Sequence, residues 1–114
     1  MESEVQLEIL NQDPALQEIV QRLADAYDPL RIYLFGSKAR GEAGPGSDYD
    51  LLVVVRDDAP SEQKKSKLAH QTLWGITQPK DLLVCTDRWF RSRERLVSSL
   101  PATINREGKL LYAA

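Results

Sequence analysis

Phe35-Gly-Ser-Lys-Ala-Arg-Gly-Glu-Ala-Gly-Pro-Gly-Ser-Asp-Tyr-Asp-Leu51 is the stretch on which the reading of this chain turns. It follows Arg31-Ile-Tyr-Leu-Phe35, a β-rich run that stops at Gly36 and predicts a short buried strand. Ser37 to Gly41 suits a turn of helix, and Glu42 to Ser47 is dense in turn formers. Asp48 to Val55 then predicts a second strand. Side chains alternate along a strand, so Asp48 and Asp50 share one face, Leu52 and Val54 continue it, and Tyr49 points to the other.

Two carboxylates about 6.5–7 Å apart on one strand repel each other, and a buried strand that begins this way is costly without a cation between them. Hard oxygen donors suit Mg²⁺ or Mn²⁺, which take a few carboxylates together with water and substrate phosphates. Gly36 lets the backbone approach a ligand closely, and Ser37 can cap the helical turn, leaving N–H groups and a hydroxyl to face an anion. Arg40 adds positive charge near such a phosphate seat, with Lys38 as a weaker candidate, and Ser47 lies beside the carboxylates. A triphosphate held by backbone, serine and arginine on one side and by carboxylate-bound metal on the other favours in-line displacement at phosphorus.

The flanking sequence predicts a domain that supports this loop. Asp13-Pro14 is an acidic N-cap with proline in the first turn, and Leu16, Ile19, Val20, Leu23 and Ala26 form one apolar stripe, which predicts a helix over 13–27 ended by Asp28-Pro29. Ser61 predicts a helix running to about Trp74, and Lys80 to Cys85 is a third strand with Asp81 near its start. Asp87 to Leu100 reads as a helix with Phe90 or Trp89, Leu96, Val97 and Leu100 in the core, interrupted by Pro101. A short helix near 102–107 and an extended 109–112 follow. The order predicts an α/β (α+β) fold, a mixed sheet with helices packed mainly on one side, with the relative direction of the first two strands left open.

At 114 residues the chain is expected to be one domain over 1–114, too small for a deep self-contained substrate cavity. The 42% hydrophobic and 28% charged composition is that of a soluble globular protein. A net charge of −2 lacks the basic excess of a protein that holds nucleic acid by phosphate neutralisation, so nucleic acid is disfavoured as a partner. The single cysteine, Cys85, excludes an intramolecular disulfide, and with one histidine, His70, the chain lacks the ligands for a Cys/His zinc site. The acidic N-terminus does not read as a signal peptide, and the longest uncharged apolar run, Leu51 to Val55, is too short to span a bilayer. A cytoplasmic location is expected.

Gly36-Ser37, ten intervening residues and Asp48-x-Asp50 resemble the G-S-x(10)-D-x-D signature of the polymerase-β-like nucleotidyltransferase superfamily. The wider string is similar to minimal nucleotidyltransferases, the MNT group, and to the MntA-like antitoxins of HEPN/MNT pairs; the tail Asn105 to Tyr112 also resembles the end of MNT domains. Lys38 stands where arginine is frequent. The resemblance implies a polymerase-β-like core in which Asp48 and Asp50 bind metal with the nucleotide phosphates. Asp81 would complete the metal site and help activate the attacking hydroxyl.

It further implies transfer of AMP from ATP, with Mg²⁺ or Mn²⁺, to a tyrosine of a HEPN toxin, the MNT protein acting as the antitoxin of a type VII-like pair. Two alternatives share the motif: a non-catalytic module that neutralises a HEPN partner by docking, and a small-molecule nucleotidyltransferase acting on an antibiotic. The latter would need acceptor-binding structure that one chain of this size does not house, which a homo-oligomer could supply. His70 is expected to be structural or exposed, Cys85 a small core residue, Trp74 and Trp89 packing residues, and Arg91, Arg93 and Arg95 a solvated face or partner contact.

Overall fold

The computed structural model describes residues 4–44 and 46–114. Met1–Ser3 of the acidic N-terminal stretch and Pro45 of the turn-rich segment lie outside the described residues. The elements run α1 (Leu7–Asn11), α2 (Pro14–Tyr27), β1 (Arg31–Phe35), α3 (Gly36–Arg40), β2 (Tyr49–Val55), a 3₁₀ turn (Ser61–Lys64), α4 (Ser66–Thr72), β3 (Lys80–Thr86), α5 (Asp87–Arg93), α6 (Leu100–Glu107) and β4 (Lys109–Ala113). The expected α/β architecture is present, and α1 is an element that the sequence reading did not foresee.

Helix α2 forms for the reasons its sequence supplies. The Asp13 carboxylate accepts the Leu16 N–H at 3.1 Å, Pro14 occupies the first turn, and Leu16, Ile19, Val20, Leu23 and Tyr27 are buried as one stripe. It ends where Asp28 turns into the left-handed region at φ 45°, an unusual place for a non-glycine residue. Asp28 also pairs with Arg56 at 2.7 Å.

The sheet order is β3-β2-β1-β4. β1 runs antiparallel to β2 and to β4, while β2 and β3 are parallel, in register from Tyr49 opposite Lys80 to Val55 opposite Thr86. Parallel neighbours require a crossover, which the 3₁₀ turn and α4 supply. The strand direction that the sequence left open is therefore antiparallel for β1 and β2, and the mixed character comes from β3.

Two apolar layers hold the sheet. On one face Ile32, Leu34, Tyr49, Leu51, Val53 and Val55 pack with Leu10, the α2 stripe, Ala69 and Leu73. On the other, Tyr33, Leu52 and Val54 pack with Phe90 of α5, Ile104 of α6 and Leu110. The larger helical layer, α1, α2 and α4, lies on the first face, and α5 with α6 covers part of the second. Among the described residues no helix is long and apolar enough to cross a membrane.

Three expectations need correction. The predicted helix from Ser61 to about Trp74 is two pieces, because Lys65 is extended at φ −117°, ψ 145°. Tyr27 donates its hydroxyl to the Lys65 carbonyl at 2.5 Å, a tie that stabilises the break. The predicted helix over 87–100 stops at Arg93; Ser99 then accepts the Ala102 N–H and Pro101 lies in the first turn of α6, so this proline starts a helix instead of interrupting one. Leu96 and Val97, expected in the core, are consequently 57% and 78% exposed in the connecting turn.

Candidate active site

One end of the sheet gathers the predicted residues. β1 ends at Phe35, which lies opposite Asp50 of the antiparallel β2, and the parallel β3 begins alongside with Asp81 opposite Asp50. Gly36 and Ser37 thus emerge on the β1 side of Asp50 and Asp81 lies on its β3 side. Asp48 immediately precedes β2. Asp50 lies on the same sheet face as Leu52 and Val54, as strand alternation required, and Tyr49 is buried on the opposite face.

Gly36 touches this site closely. Its φ is +75°, and a Cβ built on it would sit 2.1 Å from Asp50 Oδ2 and 3.1 Å from Asp50 Cγ. Only a residue without a side chain leaves the carboxylate where it is. Ser37, expected to cap this turn, lies inside it as its second residue, and no side chain caps the start of α3, so the first N–H groups of the turn have no side-chain acceptor. Gly41, at φ +74°, ends α3, and its N–H returns to the carbonyls of Lys38 and Ser37.

Burial raises the Asp50 carboxyl above the usual range, the Asp81 and Asp48 carboxylates raise it further, and Arg40 partly opposes them. Asp48 and Asp81 are exposed and Asp50 is half-buried. Among the described residues no three carboxylate, imidazole or thiol groups lie close enough together to hold a metal ion by themselves. The chemistry still suits a hard divalent cation completed by water and phosphate oxygens: Asp50 feels the Asp81 and Asp48 charges, and Arg40 offsets them only in part.

The polar candidates around the carboxylates are distributed unevenly. Arg40 binds Glu42 and reaches Glu107 at 3.3 Å on the surface, while still acting electrostatically on Asp50. The Ser47 hydroxyl accepts the Gly44 N–H at 3.1 Å and so closes the preceding turn. Lys38 turns away to the back of the strand, its Nζ 4.6 Å from the centre of the Tyr49 ring.

Tyr49 is a residue whose role the sequence reading missed. Its hydroxyl donates to both Asp13 oxygens, at 3.0 and 2.8 Å, so the N-cap of α2 also anchors the strand between the two motif aspartates. Burial, the Asp13 hydrogen bond and the Asp13 charge push the Tyr49 pKa up to about 12. Tyr49→Phe is expected to lower stability by about 1 kcal/mol in urea unfolding, and Asp13→Ala by about 2 kcal/mol because it also removes the cap. The Tyr49 contribution is present below the ordinary tyrosine value of 10.0 and is lost as pH rises through about 12, so the Phe variant is expected to lose less stability over that interval.

The remaining candidates behave simply. Cys85 is partly buried and its thiol is pushed up to about 12 by burial, the state of a packing residue and not of a thiolate nucleophile. His70 is exposed. Trp89 is half-buried, but Trp74, expected to pack, is 83% exposed beyond α4; its backbone is held, the N–H donating to the Gln71 carbonyl at 3.3 Å and the carbonyl accepting from Arg22 at 3.2 Å.

The chain matches the family model described as Nucleotidyltransferase domain over residues 16–103. No curated protein matches it significantly. Among solved structures, a Sulfolobus solfataricus protein assigned as a nucleotidyltransferase is similar at TM-score 0.57 and 21% identity, over 88% of this chain and 78% of that one. A toxin–antitoxin structure with AMP-PNP is similar at TM-score 0.56 and 24% identity, over 86% of this chain and 73% of that one. A tri-AMPylated Shewanella oneidensis HEPN toxin in complex with MNT antitoxin gives TM-score 0.52 and 22% identity, over 88% and 71%. At these identities the likeness carries the fold.

Proposed function

Because this chain belongs to the nucleotidyltransferase domain family, we propose that it transfers AMP from ATP to a hydroxyl, a tyrosine hydroxyl of a HEPN-domain partner, and so acts as the antitoxin of a toxin–antitoxin pair. The observation that carries this reading is the seat of Asp50: packed against the Cβ-free face of Gly36 and raised by burial and by Asp81 and Asp48. That juxtaposition suits a phosphate chain entering over Gly36-Ser37 and a carboxylate cluster that needs a cation. The solved complex of a tri-AMPylated HEPN toxin with its MNT antitoxin, of the same fold, favours a protein acceptor, and the toxin–antitoxin structure with AMP-PNP favours an adenine nucleotide.

In this reading Asp48, Asp50 and Asp81 would hold Mg²⁺ or Mn²⁺ together with the phosphates, and the ion would neutralise phosphate charge. The N–H groups at Gly36 and Ser37 and the Ser37 hydroxyl bind phosphate oxygens. Arg40 turns from Glu42 and Glu107 toward the phosphates, and Ser47 holds the loop that leads into Asp48. The acceptor hydroxyl oxygen attacks the α-phosphorus, the bond to the oxygen bridging the α- and β-phosphates breaks, and pyrophosphate leaves. Asp81, opposite Asp50 on β3 and exposed, takes the hydroxyl proton.

The reading is tested by incubating the chain with ATP, Mg²⁺ and a HEPN protein and weighing the partner by mass spectrometry. Added AMP is expected, and its absence in Asp48→Ala/Asp50→Ala. An unmodified partner that is nevertheless neutralised, equally by wild type and double variant, would replace transfer with docking.

A further inference from the structure

The carboxylate face continues into a groove. Beyond Asp50 and Asp81 the next residues on the same face are Leu52 and Leu83, and with Cys85, Trp89 and Leu100 they line a cleft of about 520 Å³. Its floor is β2 and β3, its far wall α5 and α6. β3 is the edge of the sheet, and Leu83 is 39% exposed there. Apolar surface of this kind, two residues from a reacting centre, marks a binding groove more than a packing defect.

Cations border it: Lys64 lines the cleft, and residues 88–95, which are most of the α5 wall and the two residues after it, carry Arg88, Arg91, Arg93 and Arg95 against Glu94. Arg91 is neutralised by Asp87 at 2.8 Å and Arg93 stacks on Trp89 at 4.7 Å. Among the described residues Lys64, Arg88, Arg93 and Arg95 enter none of the ion pairs. In a chain of net charge −2 this is a local inversion of sign, and exposed Leu96 and Val97 extend it with apolar surface.

Direction of attack assigns the groove. If pyrophosphate leaves toward Gly36-Ser37, on the β1 side of Asp50, in-line displacement brings the attacking hydroxyl from the opposite side, over Asp81 and β3. We propose that the groove seats the acceptor, an acidic segment of the partner protein whose apolar side chains rest on Leu83 and Trp89 while Arg93 and Arg95 steer its carboxylates. The inference rests on the reaction proposed above and adds to it where the acceptor binds and what chemistry selects it. A polynucleotide would use the same cations but not the aliphatic floor.

The test titrates the full chain, without nucleotide, by fluorescence anisotropy. The probes are a labelled Glu-Glu-Leu-Tyr-Leu-Glu-Glu peptide, the same peptide with lysine for glutamate, and labelled oligoadenylate RNA. The acidic peptide is expected to bind at least about tenfold tighter than either of the others, Leu83→Ser to weaken it about tenfold, and Arg93→Glu/Arg95→Glu to abolish the preference. Leu83, Arg93 and Arg95 are exposed, and retained melting temperature and unchanged ATP affinity establish that the variants are folded.

No binding of the acidic peptide, equal binding of both peptides, tighter binding of RNA, or indifference to both variants would overturn the inference. A parallel AMP-transfer assay on a HEPN protein separates the two claims. Peptide selectivity in a chain that transfers no AMP removes the reaction, whereas AMP transfer indifferent to Leu83→Ser removes the groove.

Discussion

Asp50→Asn is expected to reduce AMP transfer by at least about a thousandfold while raising the melting temperature of the metal-free protein. The two effects have one source. Burial, then Asp81, then Asp48 raise the Asp50 carboxyl in the folded chain. A raised carboxyl contributes stability in its protonated form, fully present below its unfolded value and lost as pH rises through its folded value. At neutral pH the ionised Asp50 is therefore a liability to the metal-free fold, and the near-isosteric amide removes that liability together with the ligand.

Three measurements check this. Thermal unfolding of wild type without metal is expected to show Asp50 adding stability as pH falls through its raised value, an increment that Asp50→Asn lacks. Addition of Mg²⁺ with AMP-PNP is expected to stabilise wild type through binding to the folded state, and the variant much less. The acid limb of the wild-type rate profile is expected to move to lower pH as Mg²⁺ is raised, because protons compete with the cation for the carboxylates. A variant that keeps activity, or that melts well below wild type, would remove Asp50 from the role assigned to it.

Gly36→Ala carries the second large effect, and Gly41→Ala is its control. Both glycines have nearly the same backbone, φ +75° and +74°, so an alanine at either pays a left-handed strain of about 1 kcal/mol. They differ in surroundings: a Cβ at Gly41 meets nothing within 4 Å, whereas at Gly36 it meets Asp50 Oδ2 at 2.1 Å. Gly41→Ala is expected to lose stability and keep activity. Gly36→Ala must displace the carboxylate, and is expected to lose about a hundredfold or more in AMP transfer, as misplacement of a reacting group by about 1 Å does. Equal activity in the two variants would show that the Gly36 contact does not position Asp50.

The sequence made the site legible further than the framework that holds it. Strand alternation predicted the common face of Asp50, Leu52 and Val54, and the Asp13-Pro14 cap with its stripe predicted α2; both are local rules and the structure follows them. The breaks after Lys64 and Arg93 were hidden because the apolar spacing runs through them. What decides there is tertiary, the Tyr27 hydroxyl on the Lys65 carbonyl, or a competing cap, Ser99 on Ala102. Periodicity cannot separate a core leucine from one in a turn, so Leu96 and Val97 were misplaced. The Tyr49–Asp13 tie spans 36 residues, and the strand order that creates the groove depends on the parallel placement of β3. Neither leaves a local signal.

Whether one face of this sheet moves a nucleotidyl group to a partner's hydroxyl is decided by the fate of the α-phosphate. The chain is incubated with a HEPN protein, Mg²⁺ and ATP labelled in the α-position or, separately, in the γ-position. α-Label is expected on the partner, γ-label in released pyrophosphate, and neither on a partner treated with Asp48→Ala/Asp50→Ala. γ-label on the partner, or an intact partner that is bound and carries no label, would contradict nucleotidyl transfer.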